Sequence, residues 1–242
     1  MTFSVIVPTM GKPSLGDFIA HHKKFKGSII DRIIVVDFDV KYSKNRNLYQ
    51  ELDKNDDLIV DVQKEKWFNK SLAINIGVSL LSVENFIICD ADVLIQHEAL
   101  ETWMEIIETD QIVISLEYVL ETLDLEKRPA PGICCLKRSN FLSVEGYCSD
   151  YIGWGFEDHD FLFRLQRHGV QVYSHGWGYH LTHDDNERTQ NYYSQNKAEM
   201  RSRNLNFFEK RCSYPNSSGT FHSDIGSCDF SEISPTYFVV SR

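Results

Sequence analysis

The sequence predicts an α/β fold, with a mixed, mostly parallel sheet carrying helices on both faces. Three observations lead there. Short apolar runs alternate with stretches of helical spacing, as when strands are joined by crossover helices. Acidic residues stand where apolar runs end, the place at which open α/β sheets gather ligands. The chain has 242 residues, 42% of them apolar, enough for one well-buried core.

Taken in order, residues 3–8 read as a buried strand ended by Pro8, and Gly11, Pro13 and Gly16 mark a loop. Residues 18–26 suit a helix, 30–37 a second strand with acids at its carboxyl end, and 58–62 a third. Over 69–81 the spacing is helical, with Leu72, Ile76 and Leu80 on one face. Residues 86–89 form a short strand that runs straight into Asp90-Ala91-Asp92. An amphipathic helix over 97–107 and a strand over 112–116 follow. The charged segment 117–131 holds two prolines and is expected to be a loop before a strand over 132–136. Ser139 is placed to cap a short helix ending near Gly146. Residues 147–156 are rich in glycine and aromatics and read as irregular; 157–168 read as a helix stopped by Gly169, and 170–174 as a strand. A long polar helix is expected over 187–211, and residues 213–242 show no clear period and read as a C-terminal extension.

The formal net charge is −10. An acidic chain gains little from phosphate backbones, which argues against nucleic acid as a partner. A nucleotide is compatible with that charge, because a bound divalent cation reverses the local field. No apolar run approaches the roughly 20 residues of a membrane span, which leaves only peripheral membrane association open. The N-terminus reads as a first strand and not a signal peptide. The six cysteines form no CxxC pair, and Cys134 and Cys135 sit in an apolar run as small hydrophobes. Reduced thiols and a cytoplasmic location are the expectation.

Four constellations carry chemistry. Asp90 and Asp92, spaced i and i+2 just past a buried strand, can present hard oxygen ligands to a divalent ion that bridges two phosphates; the plainer reading is a polar turn. The run from Gly153 to Asp160 leads glycines and the indole of Trp154 into a carboxylate cluster at a helix start. Gly155 allows close backbone approach, Trp154 offers a flat face for a sugar ring, and a carboxylate beyond can accept a hydroxyl proton. Those acids also suit a helix N-terminus, whatever else they do. His180 and His183, with His175 nearby, offer imidazole to a transition metal, and a histidine joining an aspartate favours manganese. Pro8 and Thr9 at the end of the first strand, with Asp37 and Asp39 at the end of the second, suit a nucleoside base and ribose.

Together these residues resemble the GT-A superfamily of nucleotide-sugar glycosyltransferases, in particular the inverting β-galactosyltransferases and the bacterial chondroitin-polymerase-like enzymes. Residues 68–77 look like that group's FNRAxxxNxG segment, and Asp90-Ala91-Asp92 like its DxD. Residues 131–146 are similar to its GGxxxxxxxxFxxxxG segment, and 152–160 match WGWGGEDDD nearly in register. The resemblance implies one GT-A domain over 1–212, with a nucleotide half to about 95 and an acceptor half beyond it. It implies donor contacts from Phe68, Lys70, Asn75, Asp90 and Gly132, and acceptor contacts from Trp154, Gly155 and Asp160. Metal ligation falls to Asp92 with His180, His183 being the rival histidine. Asp158 is the implied general base, and Glu157 holds the acceptor or orients the loop. Mn²⁺ (or Mg²⁺) is the implied cofactor. The implied reaction transfers a hexose or N-acetylhexosamine, galactose-type favoured, from a UDP-sugar to an oligosaccharide or lipid-linked glycan, with inversion, in bacterial polysaccharide or glycolipid synthesis.

The departures are Lys70 for an arginine, Pro131 for a glycine, Phe156 for a glycine and His159 for an acid. They touch the identity of the sugars more than the reaction class. Two other functions fit a similar sheet. A sugar nucleotidyltransferase needs a basic glycine-rich loop after the first strand, and residues 9–14 carry one lysine and no arginine. A non-catalytic nucleotide- or glycan-binding module would lack the acids that stand at 92 and 158.

Overall fold

The computed structural model describes residues 2–40, 46–53, 56–108 and 111–242. The chain runs β1 (Phe3–Thr9), α1 (Leu15–His22), β2 (Ile30–Asp37), α2 (Arg46–Asp53), β3 (Leu58–Gln63), α3 (Lys70–Ser79), β4 (Asn85–Ile88), β5 (Val93–Ile95) and α4 (His97–Ile106). It continues through β6 (Ile112–Glu121), β7 (Lys127–Lys137), α5 (Arg138–Ser143), α6 (Glu157–Arg167), β8 (Gln171–Ser174), β9 (Trp177–His180), α7 (Asp185–Thr189), α8 (Lys197–Ser213), α9 (Phe221–Gly226), β10 (Asp229–Ser234) and β11 (Tyr237–Ser241).

Eleven strands make one mixed sheet in the order β10-β11-β3-β2-β1-β4-β7-β6-β9-β5, with β8 beside the first half of β6. The strands β11, β3, β2, β1 and β4 are parallel, whereas β7 is antiparallel to β4 and β6. Every position of β1 is buried, because helices cover both faces. Side chains alternate across it. Phe3, Val5 and Val7 join Leu15, Phe18 and Trp103 in one core, and Ile6 joins Ile74 and Val78 in a second on the other face. At Gly77 the backbone of α3 approaches so closely that a Cβ would stand 2.7 Å from Ile6.

Most of the expected elements are present, and the differences have local causes. The segment 117–131 is a hairpin and not a loop: β6 runs on to Glu121 and β7 starts at Lys127, with register shifts near Leu116 and Val119 that break the period-two signal. The long polar helix is interrupted. After α7, the Asn196 side chain accepts from the Glu199 backbone N–H and starts α8 as a separate helix. β5 and β9 have three and four residues, too short for periodicity to register. The first helix begins at Leu15 and ends at His22, followed by a 3₁₀ turn over Lys23–Phe25.

Within 213–242, read from sequence as an extension without a clear period, the chain forms α9 and adds β10 and β11 to the sheet. β11 pairs in parallel with β3, and Val240 is fully buried. Just before it, α9 packs on α3 and brings Asp224 beneath the loop that leads to α6. The buried Asp224 carboxylate accepts from Asn75 Nδ2 (2.7 Å), Ser149 Oγ (2.7 Å) and Thr220 Oγ1 (2.8 Å). Asn75 in turn clamps Tyr147, donating to its carbonyl and accepting from its N–H at 3.0 Å.

Removing a buried acceptor leaves its donors without partners, at about 1–3 kcal/mol each. Asp224→Ala is therefore expected to destabilise the fold by at least about 2 kcal/mol in urea denaturation. A change below about 0.5 kcal/mol would show that the tail does not hold the loop.

Candidate active site

Strand register assembles the first corner of the site. β5 follows Asp92 and pairs antiparallel with β9, Val93 opposite His180, and Leu181 N–H bonds the Asp92 carbonyl at 2.8 Å. Two segments ninety positions apart thus meet side by side. One oxygen each from Asp92 and one nitrogen each from His180 and His183 fall within 4.8 Å of one another. His183 Nε2 stands 3.1 Å from Asp92 Oδ2 and His180 Nε2 3.8 Å from Asp92 Oδ1. On its far side His180 Nδ1 is 2.9 Å from Glu121 Oε2, which leaves Nε2 aimed inward as an acceptor. Glu121 is itself held by Arg128 and by the Thr182 hydroxyl at 2.8 Å.

Burial lowers the His180 pKa against the raising effect of Asp92 and Glu121, which favours the neutral, ligating form of the imidazole. Burial alone would raise the Asp92 carboxyl. The hydrogen bond to His183 and the charges of Lys12 and His180 prevail and hold it well below the usual carboxylate range. Lys12 Nζ lies 2.5 Å from Asp92 Oδ2, a cation at the same oxygen that a metal would use. One carboxylate and two imidazoles form a donor set that fits a divalent transition metal.

The second corner is built on α6. Its first turn carries Glu157, Asp158 and Asp160. Asp158 accepts from Tyr147 Oη through Oδ1 (3.0 Å) and from Lys70 Nζ through Oδ2 (3.2 Å). Lys70 also reaches Asp90 at 3.0 Å. Burial alone would lower the Lys70 pKa, but Asp158, Asp90 and Glu157 raise it well above its ordinary value. Asp158 lies directly over the β7 backbone at Gly132, where a Cβ would stand 2.2 Å from its Oδ2, so only glycine fits beneath it. Glu157 is buried, its Oε2 has no hydrogen-bond partner, and burial followed by the charge of Asp158 raises its pKa to about 7.

The third corner is the loop ahead of α6, pinned by α8. Asn204 Nδ2 bonds the Gly155 carbonyl at 2.9 Å, and the Met200 sulfur lies where a Cβ on Gly153 would be, 2.5 Å away. Phe156 ends the loop at φ 71°, the left-handed region where glycine carries no penalty. The three corners share one cavity of about 510 Å³. That volume lies within the range of small-molecule sites.

A family model described as the N-terminal domain of galactosyltransferase matches residues 116–184, a stretch that includes Gly132, Trp154, Glu157, Asp158, His180 and His183. No curated protein matches the sequence. Among solved structures, the chain is similar to a Drosophila β1,4-galactosyltransferase 7 mutant in complex with manganese, UDP-Gal and xylobiose. The TM-score is 0.60 at 14% identity, over 99% of this chain and 92% of that one. The catalytic domain of the same Drosophila enzyme with xylobiose gives 0.60 at 13% identity, over 99% and 93%. S. aureus TarS gives 0.60 at 14% identity, over 75% of this chain and 37% of that one. The fold is GT-A.

The cavity wall gathers Pro8, Thr9, Phe68, Lys70, Asp90 and Asp92 from the first 95 residues. From later in the chain come Gly132, Trp154, Gly155, Glu157, Asp158 and His180. His183 stands just behind the wall, and both histidines reach Asp92. Four residues read as ligand contacts are not on that wall. Asn75 is fully buried and spent on Tyr147 and Asp224. Asp160 is buried in ion pairs with Arg164 (2.8 Å) and Arg211 (2.7 Å). Asp37 is buried, accepting from Gly11 N–H (3.0 Å), Asp39 N–H (2.9 Å) and the Tyr49 hydroxyl, and so shapes the end of β2. Asp39 packs against Gly11. The sequence reading missed Lys12, Glu121, Tyr147 and Arg201. Glu121 lay in a segment taken for a loop, and the others carry no local motif.

A carboxyl with a raised folded pKa binds its proton more tightly in the folded state. Stability then falls as pH rises from the ordinary 4.5 to about 7. Glu157→Gln should flatten that decline in thermal midpoints measured across this window. An unchanged slope would place the protonation elsewhere.

Proposed function

We propose that the protein is a metal-dependent, inverting glycosyltransferase. Its donor is a UDP-sugar carrying a hexose or N-acetylhexosamine, galactose-type favoured. Its acceptor is an oligosaccharide or lipid-linked glycan, and the setting is cytoplasmic synthesis of bacterial polysaccharide or glycolipid. One observation carries this reading: a carboxylate–diimidazole cluster shares a cavity with Asp158 and Trp154. Similarity to structures holding manganese, UDP-Gal and xylobiose supports it. The six cysteines are unpaired, and no helix among the described residues is long and apolar enough to cross a membrane.

Asp92, His180 and His183 would hold the cation, and the imidazoles favour Mn²⁺ over Mg²⁺. A bound divalent ion would supply Lewis-acid neutralisation of the diphosphate leaving group. Lys70 brings a second positive charge beside Asp90. It lacks the planar fork of an arginine, so it contributes as a point charge. Trp154 gives the acceptor ring an apolar face. Asp158 takes the acceptor hydroxyl's proton as the oxygen bonds to the anomeric carbon and the bond to the diphosphate breaks. Tyr147 and Lys70 fix the rotamer of Asp158 for that transfer. Glu157, with its raised pKa, has one buried carboxyl oxygen without a hydrogen-bond partner beside Asp158.

A general base is worth about 10²–10⁴ in rate. Asp158→Asn should lower kcat by about that factor, measured as UDP release with Mn²⁺, while calorimetry shows the donor still binding. Asp92→Ala should lose Mn²⁺-dependent donor binding. Donor binding lost in Asp158→Asn, or kept with Mn²⁺ dependence in Asp92→Ala, would refute these assignments.

A further inference from the structure

We infer that the acceptor is an acidic saccharide, bearing a carboxylate or phosphate that is read by Arg201 on α8. The inference rests on the glycosyltransferase reading and adds the acceptor's charge class. Arg201 lines the cavity together with Trp154, Phe156 and Asp158. Its guanidinium lies over two rings, 5.8 Å from the Trp154 centroid and 5.4 Å from that of Phe156. It is exposed, and among the described residues no carboxylate pairs with it. Lys197, one turn earlier, places Nζ 4.8 Å from the Trp154 ring, and the His159 ring lies tilted against Phe156 with centroids 5.4 Å apart. In a cavity that also holds Glu157, Asp158 and Glu187, Arg201 sets a guanidinium beside Trp154 and Phe156.

Arg201 is a placed group. Met200 and Asn204, buried on the same helix, dock α8 onto the Gly153–Gly155 loop and set the adjacent Arg201 over the aromatic pair. Phe156 carries a bulky side chain at a left-handed position, which is strained for any residue with a Cβ. A ring kept there against that strain, directly under a guanidinium, points to a built recognition surface. The cavity's other side chains explain why a cation is needed. An anionic sugar approaching Glu157 and Asp158 meets like charge, and a guanidinium stacked on flat rings offsets it while offering a planar fork to two oxygens.

The test is UDP release with Mn²⁺ across matched acceptor glycosides: neutral hexosides, the corresponding uronides and the corresponding 6-phosphates. Wild type should favour at least one acidic member over its neutral counterpart by about tenfold or more in kcat/KM. Raising salt should shrink that ratio. Arg201→Met, which keeps the stem on the rings and removes the charge, should reduce the ratio about tenfold, and Arg201→Lys should restore part of it. Preference for the uronides identifies a uronate acceptor, and preference for the 6-phosphates a phosphorylated one. Equal use of neutral and acidic members, no transfer to the acidic members, or an equal effect of Arg201→Met on both classes would overturn the proposal while leaving donor turnover intact. Absence of any UDP release with Mn²⁺ would instead sink the glycosyltransferase reading itself.

Discussion

Asp90, Asp92, Glu157 and Asp158 face one cavity, and four carboxylates in a partly dry space repel one another. The site persists because compensating groups are threaded between them. Lys70 spans Asp90 and Asp158, while Lys12 and two imidazoles surround Asp92. Where compensation is complete, as at Asp92, the carboxyl stays ionised. Where it is incomplete, as at Glu157, the proton is held more tightly. One cavity thereby contains a carboxylate held ionised at Asp92 and a carboxyl at Glu157 whose pKa is raised to about 7.

That arrangement depends on backbone placement. The two-sided helix cover of β1 and β4 puts the Asp90–Asp92 turn at a strand's carboxyl end, and the short pairing of β5 with β9 sets His180 beside it. The β6–β7 hairpin contributes from both strands, Glu121 behind His180 and Gly132 beneath Asp158. The tail closes the circuit from the opposite side: Asp224 fixes Asn75, Asn75 fixes Tyr147, and Tyr147 bonds Asp158.

Two of the four departures from the galactosyltransferase-like pattern, Phe156 and His159, fall at the start of α6 on the cavity lining. Phe156 and His159 replace a glycine and an acid; the Phe156 ring lies under Arg201, and His159 packs against Phe156. Read singly they are substitutions in a motif. Read together they put an aromatic ring under the Arg201 guanidinium and remove one carboxylate from the start of α6.

Much of this was legible from local pattern. Apolar runs located β1 to β4, because buried parallel strands need little beyond hydrophobicity and length. The DxD turn and the Gly-Trp-Gly run announced themselves because ligand chemistry demands particular residues at short spacing. Asn75 and Asp160 misled, because a buried polar side chain with internal partners looks the same in sequence as one that meets a ligand. β10, β11 and the break before α8 were obscure because their stability comes from edge pairing and from a cap, neither of which leaves a period. The sequence by itself determined the α/β class, the acids, and the indole. Tertiary structure alone decided that both histidines reach Asp92, that Tyr147 and Lys70 hold Asp158, and that Arg201 lies over Trp154. These are contacts between segments far apart in the chain, and strand register and helix docking, not local propensity, select them.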